Sequence, residues 1–197
     1  MDTPGPLIAV MTTYLYESAA PNITQALLQA TIDYSQVTIF ICTSKRTTEE
    51  RYQFFMEQLK NKIEYLKLSD SIRLYGYCLN SERENVCRTS DSYNPYIGLI
   101  DQADHIIVPP DSQSMTSEPL AAGKTVHIYG GEHEYKPLKK EGLAETFNSS
   151  ARFSTLRTRR IAPVNITDKV ADCIIRKYEK STKHGFWKHP IRWLKNL

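Results

Sequence analysis

Apolar positions fall along this chain in two rhythms. Short, nearly continuous runs occur at LIAVMTT (7–13), QVTIFICT (36–43), SIRLYGYC (71–78), DHIIVPP (104–110) and TVHIYG (125–130). They are rich in β-branched residues and too short for helices, so they predict strands. Their continuity predicts strands buried on both faces. Between them the spacing lengthens to three and four residues. Ile23, Ala26, Leu27 and Ala30 predict a helix from Pro21 to Tyr34, and Tyr52, Phe55, Met56, Leu59, Ile63 and Leu66 predict a longer one over 47–66. Thr47 or Thr48 is placed to cap the longer helix, with Glu49 and Glu50 favourable in its first turn.

Residues 79–92 are polar and aperiodic and read as a loop. Asn94-Pro95 reads as a cap and first position for a helix through Ala103. A helix is expected from about Thr116 to Ala122, ended by Gly123. There Pro119 would sit in the first turn, where no N–H is required of it. Another is expected over 134–144, started or interrupted by Pro137. A last one is expected over 165–181, with Ile166, Val170, Ile174 and Tyr178 on one stripe. Strands alternating with helices predict a three-layer, Rossmann-like α/β sandwich with a mostly parallel sheet. Residues 1–181 read as one such domain and 182–197 as a basic, tryptophan-containing tail.

Composition narrows the class. The chain has 197 residues and is 41% hydrophobic, enough for a sizeable core. No apolar run approaches the ~20 residues of a membrane-spanning helix. The N-terminus, MDTPGPLIAVMTTY, has no basic leader or cleavage pattern, so a cytoplasmic protein is expected. The four cysteines, Cys42, Cys78, Cys87 and Cys173, form no CxxC pair, which points to free thiols rather than a zinc site. Sequons begin at Asn22, Asn148 and Asn165, and without a secretory signal they carry no weight. The net charge of +3 is unevenly spread: residues 176–197 hold seven Lys/Arg and one acid, leaving the rest slightly acidic. A nucleic-acid-binding domain would be basic over its folded surface, so no nucleic-acid partner is expected.

Candidate chemistry lies in two turns. The stretch DSQSMTSE (111–118) places Ser112, Ser114, Thr116, Ser117 and Glu118 directly after the fourth strand, with Met115 among them. In parallel sheets ligands bind outside the carboxyl ends of the strands. A helix start there offers unpaired N–H groups and a favourable dipole to a phosphate. The hydroxyls add donors, and Glu118 can accept from the two hydroxyls of a ribose. Ordinary helix capping explains the same residues. The second turn, Thr43-Ser44-Lys45-Arg46-Thr47, follows the second strand and carries two cations able to neutralise a diphosphate. Basic pairs also end ordinary loops. His105 and His127 lie inside strand runs and read as core-edge residues. Glu132-His133-Glu134 and the run RTRR (157–160) read as solvated loops, and no metal site is expected.

The segments TSKRTTEE, NPYIGLIDQADHIIVPPDSQSMTSEPLAAGKTVHIYGG and YKPLKKEGLAETF resemble a known family. It is the mitochondrial fission proteins named for elongated mitochondria in plants, with many bacterial relatives. The family reads close to TSRRTP, NPYxGxLAxADAIVVTxDSVSMVSEAAATGKPVYVF and HxxLxxxGLxRxF, and the likeness runs from about Pro6 to Lys177. That family in turn resembles the GT-B glycosyltransferases, in whose C-terminal domain the S-E turn holds a nucleotide-sugar donor. The resemblance implies that Ser114, Thr116 and Ser117 meet phosphate and Glu118 the ribose. Lys45 and Arg46 would form the basic turn, and Asn94 to Tyr96 would flank the nucleotide. It implies no required cofactor, and a nucleoside diphosphate or nucleotide sugar as ligand. The family's first strand ends in a Gly-rich turn, where this chain has MTTYLYES. GT-B catalysis uses a cleft between two halves and this chain resembles the second, so a separate N-terminal-half protein is the implied partner. The competing implication is a non-catalytic interaction module acting in mitochondrial or membrane dynamics.

The tail KHGFWKHPIRWLKNL holds both tryptophans, Trp187 and Trp193, among Lys183, Lys188, Arg192 and Lys195. Rings beside cations suit an anionic membrane surface, so residues 183–197 are a candidate peripheral tether. Packing of the tryptophans on this domain, or on a missing half, is the competing expectation.

Overall fold

The structure is a computed structural model that describes residues 5–13, 20–78, 94–129, 135–147, 153, 161–163 and 175–176. Among the described residues six strands form one sheet: β1 (Leu7–Thr12), β2 (Val37–Thr43), β3 (Ile72–Tyr77), β4 (His105–Val108), β5 (Val126–Tyr129) and β6 (Ala144–Phe147). Their order is β3-β2-β1-β4-β5-β6 and every pairing is parallel. The helices are α1 (Ala20–Asp33), α2 (Glu49–Tyr65), α3 (Tyr96–Gln102), α4 (Gln113–Ala121) and α5 (Lys136–Lys140). This is the expected three-layer α/β sandwich, with a wholly parallel sheet. Contacts divide the chain into two compact units, Met1–Pro163 and Val164–Leu197. The sheet and its helices belong to the first.

The pleat explains the layering. Ile8, Val10, Ile39, Ile41 and Ile107 join one core with Ile23, Ala26 and Leu27 of α1 and Phe55 and Leu59 of α2. Ala9, Met11, Ile106 and Val108 alternate with them and are equally buried, so they face the other layer. Continuous apolar runs result because both faces are covered. Close packing also fixes Gly76: a Cβ there would lie 2.1 Å from the Tyr52 hydroxyl of α2. Right-handed crossovers put α1 and α2 on one face and the helices that follow β3 on the other. The chain changes face between β1 and β4, and that reversal positions the site.

Several elements differ from expectation. β6 is an additional strand, cut from a segment whose beginning reads as helix; α5 spans only Lys136–Lys140, and Gly142, at φ +70°, turns the chain into the strand. α4 begins at Gln113 rather than near Thr116, because Ser112 takes the cap: its side chain accepts from the Met115 amide at 3.4 Å. Pro119 consequently lies inside the helix, where it removes the donor that would reach the Met115 carbonyl. At α3, Pro95 is the cap residue and the Asn94 side chain accepts from the Tyr96 amide at 3.0 Å. Thr48 caps α2. Of the helix expected over 165–181, Ile175 and Arg176 are helical and the rest lies outside the described residues. The loop 79–92, the tail 182–197, Glu132-His133-Glu134 and 157–160 also lie outside them.

Gly123 ends α4 with φ +77°, and a Cβ there would lie 2.7 Å from the Ile161 carbonyl oxygen. The Ile161 amide donates to the Gly123 carbonyl at 2.8 Å, which pins the two backbones together. Gly123→Ala therefore combines a left-handed backbone penalty with a backbone clash. It is expected to cost about 2 kcal/mol or more, a fall in Tm of roughly 4–8 °C for a chain this size. Thermal unfolding followed by circular dichroism checks this; an unchanged Tm would mean that the two segments separate freely.

Candidate functional site

Because all strands run the same way, the turns after β1, β2, β4 and β5 open on one edge. β1 and β4 are neighbours there, and their exits are tied across 98 residues of sequence: the Thr13 hydroxyl donates to Asp111 Oδ1 at 2.6 Å. The Thr13 carbonyl accepts from the Thr47 hydroxyl at 2.8 Å and from the Ser44 hydroxyl at 3.4 Å. The Ser44 amide continues the ladder to the Thr12 carbonyl at 2.9 Å. Tyr129, at the end of β5, donates its phenol to the Thr12 hydroxyl at 3.2 Å, and Tyr135 donates to the Pro110 carbonyl. Thr12, Thr13, Thr43 and Thr47 are all buried. The hydroxyls of Thr12, Thr13 and Thr47 stitch the exits of β1, β2, β4 and β5 together and give the edge a fixed shape. Burial, helped by the Asp111 carboxylate, pushes the Tyr129 phenol up to about 12, so it remains a donor at neutral pH.

The basic turn rises from this base. Ser44 Oγ accepts from the Arg46 amide at 3.1 Å, and the Thr47 amide returns to the Ser44 carbonyl at 3.1 Å. That tight turn lifts Lys45 and Arg46 into solvent. Both are exposed, and among the described residues neither has an ion-pair partner. Thr43 stays below them, buried at the end of β2.

Across the switch point the hydroxyl-rich residues divide by role. Ser112 is 7% exposed and caps α4; Thr116 is 3% exposed and donates to the Ser112 carbonyl at 2.9 Å. Met115 is buried. Ser114 is exposed in the first turn, with its hydroxyl 3.4 Å from that of Ser112. Ser117 is half-buried and Glu118 exposed in the second turn. The first-turn amides of Gln113 and Ser114 have no helical acceptor, while that of Met115 is taken by Ser112. The edge thus offers an anion amides, the Ser114 hydroxyl and two cations.

α3 brings a further pair together. Tyr96 opens that helix, and its phenol oxygen is buried without a hydrogen-bond partner. Burial first, then the adjoining Glu118 carboxylate, holds that phenol well above its ordinary range. Glu118 acts on it at short range, first as a neighbouring acceptor and then as a charge, while the contact falls short of full hydrogen-bond geometry. Asn94 is exposed beside this pair. Sequence reasoning named Lys45, Arg46, Thr47, Ser114, Glu118 and Tyr96 as candidates and did not single out Thr12, Thr13, Asp111, Tyr129 and Tyr135, whose hydrogen bonds tie the strand exits. The signal for Thr12 and Thr13 was present: a polar pair directly after a buried apolar strand.

Among the described residues no group of three or more His, Cys, Asp or Glu is arranged to hold a metal. His105 and His127 are instead a buried pair, His105 Nδ1 lying 3.4 Å from His127 Nε2. No described helix is long and apolar enough to cross a membrane. The search of curated proteins finds no match. The sequence model of the family described as Mitochondrial fission ELM1 matches residues 77–178, a span that carries Tyr96, the α4 turn and Glu118 but not the Lys45-Arg46 turn. With just over half of its length matched, the chain belongs to the Mitochondrial fission ELM1 family.

Proposed function

We propose that this chain is the nucleoside-diphosphate-binding portion of a glycosyltransferase-like protein, taking a nucleotide sugar in the crevice between β1 and β4. The observation that carries the reading is the strand order. The order 3-2-1-4-5-6 is that of dinucleotide-binding sheets, whose ligands lie at the point where it reverses. Here that point is flanked by the exposed first turn of α4 on one side and by Lys45 and Arg46 on the other. In this reading a diphosphate lies between them, and the exposed Glu118 carboxylate is the acceptor for the ribose hydroxyls. Sugar transfer by a site of this kind needs an acceptor-binding half beside this domain.

Isothermal calorimetry with UDP, GDP, CDP, ADP and their sugars tests the reading. One of the series is expected to bind below millimolar concentration. Glu118→Ala is expected to weaken it about tenfold, the worth of a charge-assisted hydrogen bond. If none binds at millimolar concentration, the nucleotide reading falls, and an interaction module on a glycosyltransferase-like scaffold takes its place.

A further inference from the structure

We infer that Tyr96 is the positioning residue for Glu118 and sets the ribose selectivity of the site: in the ligated state its buried phenol donates to the carboxylate and fixes it toward the sugar diol. The inference rests on the proposed nucleotide reading and deepens it. Two observations carry it. The Tyr96 oxygen is removed from water yet has no hydrogen-bond partner. Such a donor is costly to leave unpaired, so it stands out against the satisfied hydroxyls of Thr12, Thr13, Thr47 and Tyr129 elsewhere in the domain. The carboxylate that acts on it most strongly is Glu118, whose exposed side chain has room to change rotamer.

The geometry explains why the pair is split between two helices. Tyr96 opens α3 and Glu118 lies in the second turn of α4. A phenol is rigid and is held by burial; a glutamate is long and mobile. A carboxylate has two oxygens and about four acceptor positions. One oxygen taken by the phenol leaves the other with a fixed direction for a diol. Without the phenol the same carboxylate must be ordered by the ligand itself, which weakens binding. Phosphate and base contacts are indifferent to this arrangement. The effect should therefore appear only with ligands that carry the diol.

The test compares wild type with Tyr96→Phe, which removes one oxygen and no volume. Binding of the tightest ribonucleoside diphosphate and its 2′,3′-dideoxy analogue is measured by calorimetry. Tyr96→Phe is expected to weaken the ribonucleotide about tenfold and to leave its dideoxy analogue within about twofold, on the usual strength of a hydrogen bond to a charged group. Thermal stability without ligand should be unchanged or higher, since an unpaired buried donor has been removed. A second measurement needs no ligand. The Tyr96 ring is assigned by carbon NMR through its loss in Tyr96→Phe, and Glu118→Gln should move its Cζ resonance at neutral pH. Equal weakening of both ligands, weakening of neither, or lost apo stability would overturn the role of Tyr96. An unmoved Tyr96 resonance in Glu118→Gln would overturn the pairing itself. If no nucleotide binds wild type while the resonance moves as expected, the nucleotide reading fails and the ribose role with it, and the pairing stands alone.

Discussion

Lowering the pH from 6.5 toward 4.5 is expected to destabilise this protein steeply, before its ordinary carboxylates titrate. The cause lies in β4 and β5, where His105 and His127 are 2% and 1% exposed. Their rings stand 5.5 Å apart, and His105 packs edge-on against Phe153, which meets Phe147 in the same manner. Burial lowers His105 from 6.5 to about 4, against a small opposing pull from Asp104. Burial, and then the like charge of His105, lowers His127 to about 3. Glu145 faces His127 Nδ1 at 3.9 Å, but its side chain is 33% exposed, so water screens the attraction and burial governs.

Both folded values are depressed, so the unfolded chain binds protons first as the pH falls. The stabilisation from neutral rings is complete above about 6.5 and is lost progressively toward 4 and 3. Each pH unit below 6.5 costs each ring about 1.4 kcal/mol until its folded value is reached, so the pair accounts for a loss on the order of 5 kcal/mol by pH 4.5. Urea unfolding at pH 7.0, 6.0, 5.0 and 4.5 measures it. The His105→Leu/His127→Leu double variant should show a nearly flat profile over that window, whatever its absolute stability. Parallel profiles for the two proteins would remove the histidines as the cause.

The fold was legible wherever burial on both faces produced an unbroken apolar run. That holds for β1 to β5, and helical spacing marked α1 and α2 equally well. β6 was not legible: in Ala144–Phe147 only the two end residues are buried, and four residues give no rhythm to count. The start of α4 was ambiguous because Ser112, Ser114, Thr116 and Ser117 can all cap a helix. Only the exit of β4 decides for Ser112. The turn chemistry after β2 and β4 was legible because polar residues follow apolar runs there. The base of the site was not. Thr13 and Asp111 meet only because β1 lies beside β4, and periodicity gives the strands but not their order. His105 and His127 were likewise visible as strand residues, while their juxtaposition depends on β4 lying beside β5.

Removing the two cations after β2 is expected to weaken the proposed nucleotide binding about a hundredfold or more while leaving the fold intact. Lys45 and Arg46 are exposed, have no ion-pair partner among the described residues, and sit on a turn held by backbone and hydroxyl bonds. Their side chains therefore contribute little to stability, and Lys45→Ala/Arg46→Ala should unfold within about 0.5 kcal/mol of wild type. On the proposed reading a diphosphate carries its charge where these cations reach, and each charge-assisted hydrogen bond is worth about 1.5–3 kcal/mol. The double variant should thus lose on the order of a hundredfold or more in affinity, and the loss should shrink as salt screens the charges. Lys60→Ala/Lys62→Ala is the matched control. It makes the same change in net charge near the far end of α2, about 16 Å along the helix from its start, toward the opposite edge of the sheet. If both double variants weaken binding equally, the effect is a general field and not a contact. If neither does, the basic turn is an ordinary loop end, and the phosphate must be held by α4 alone.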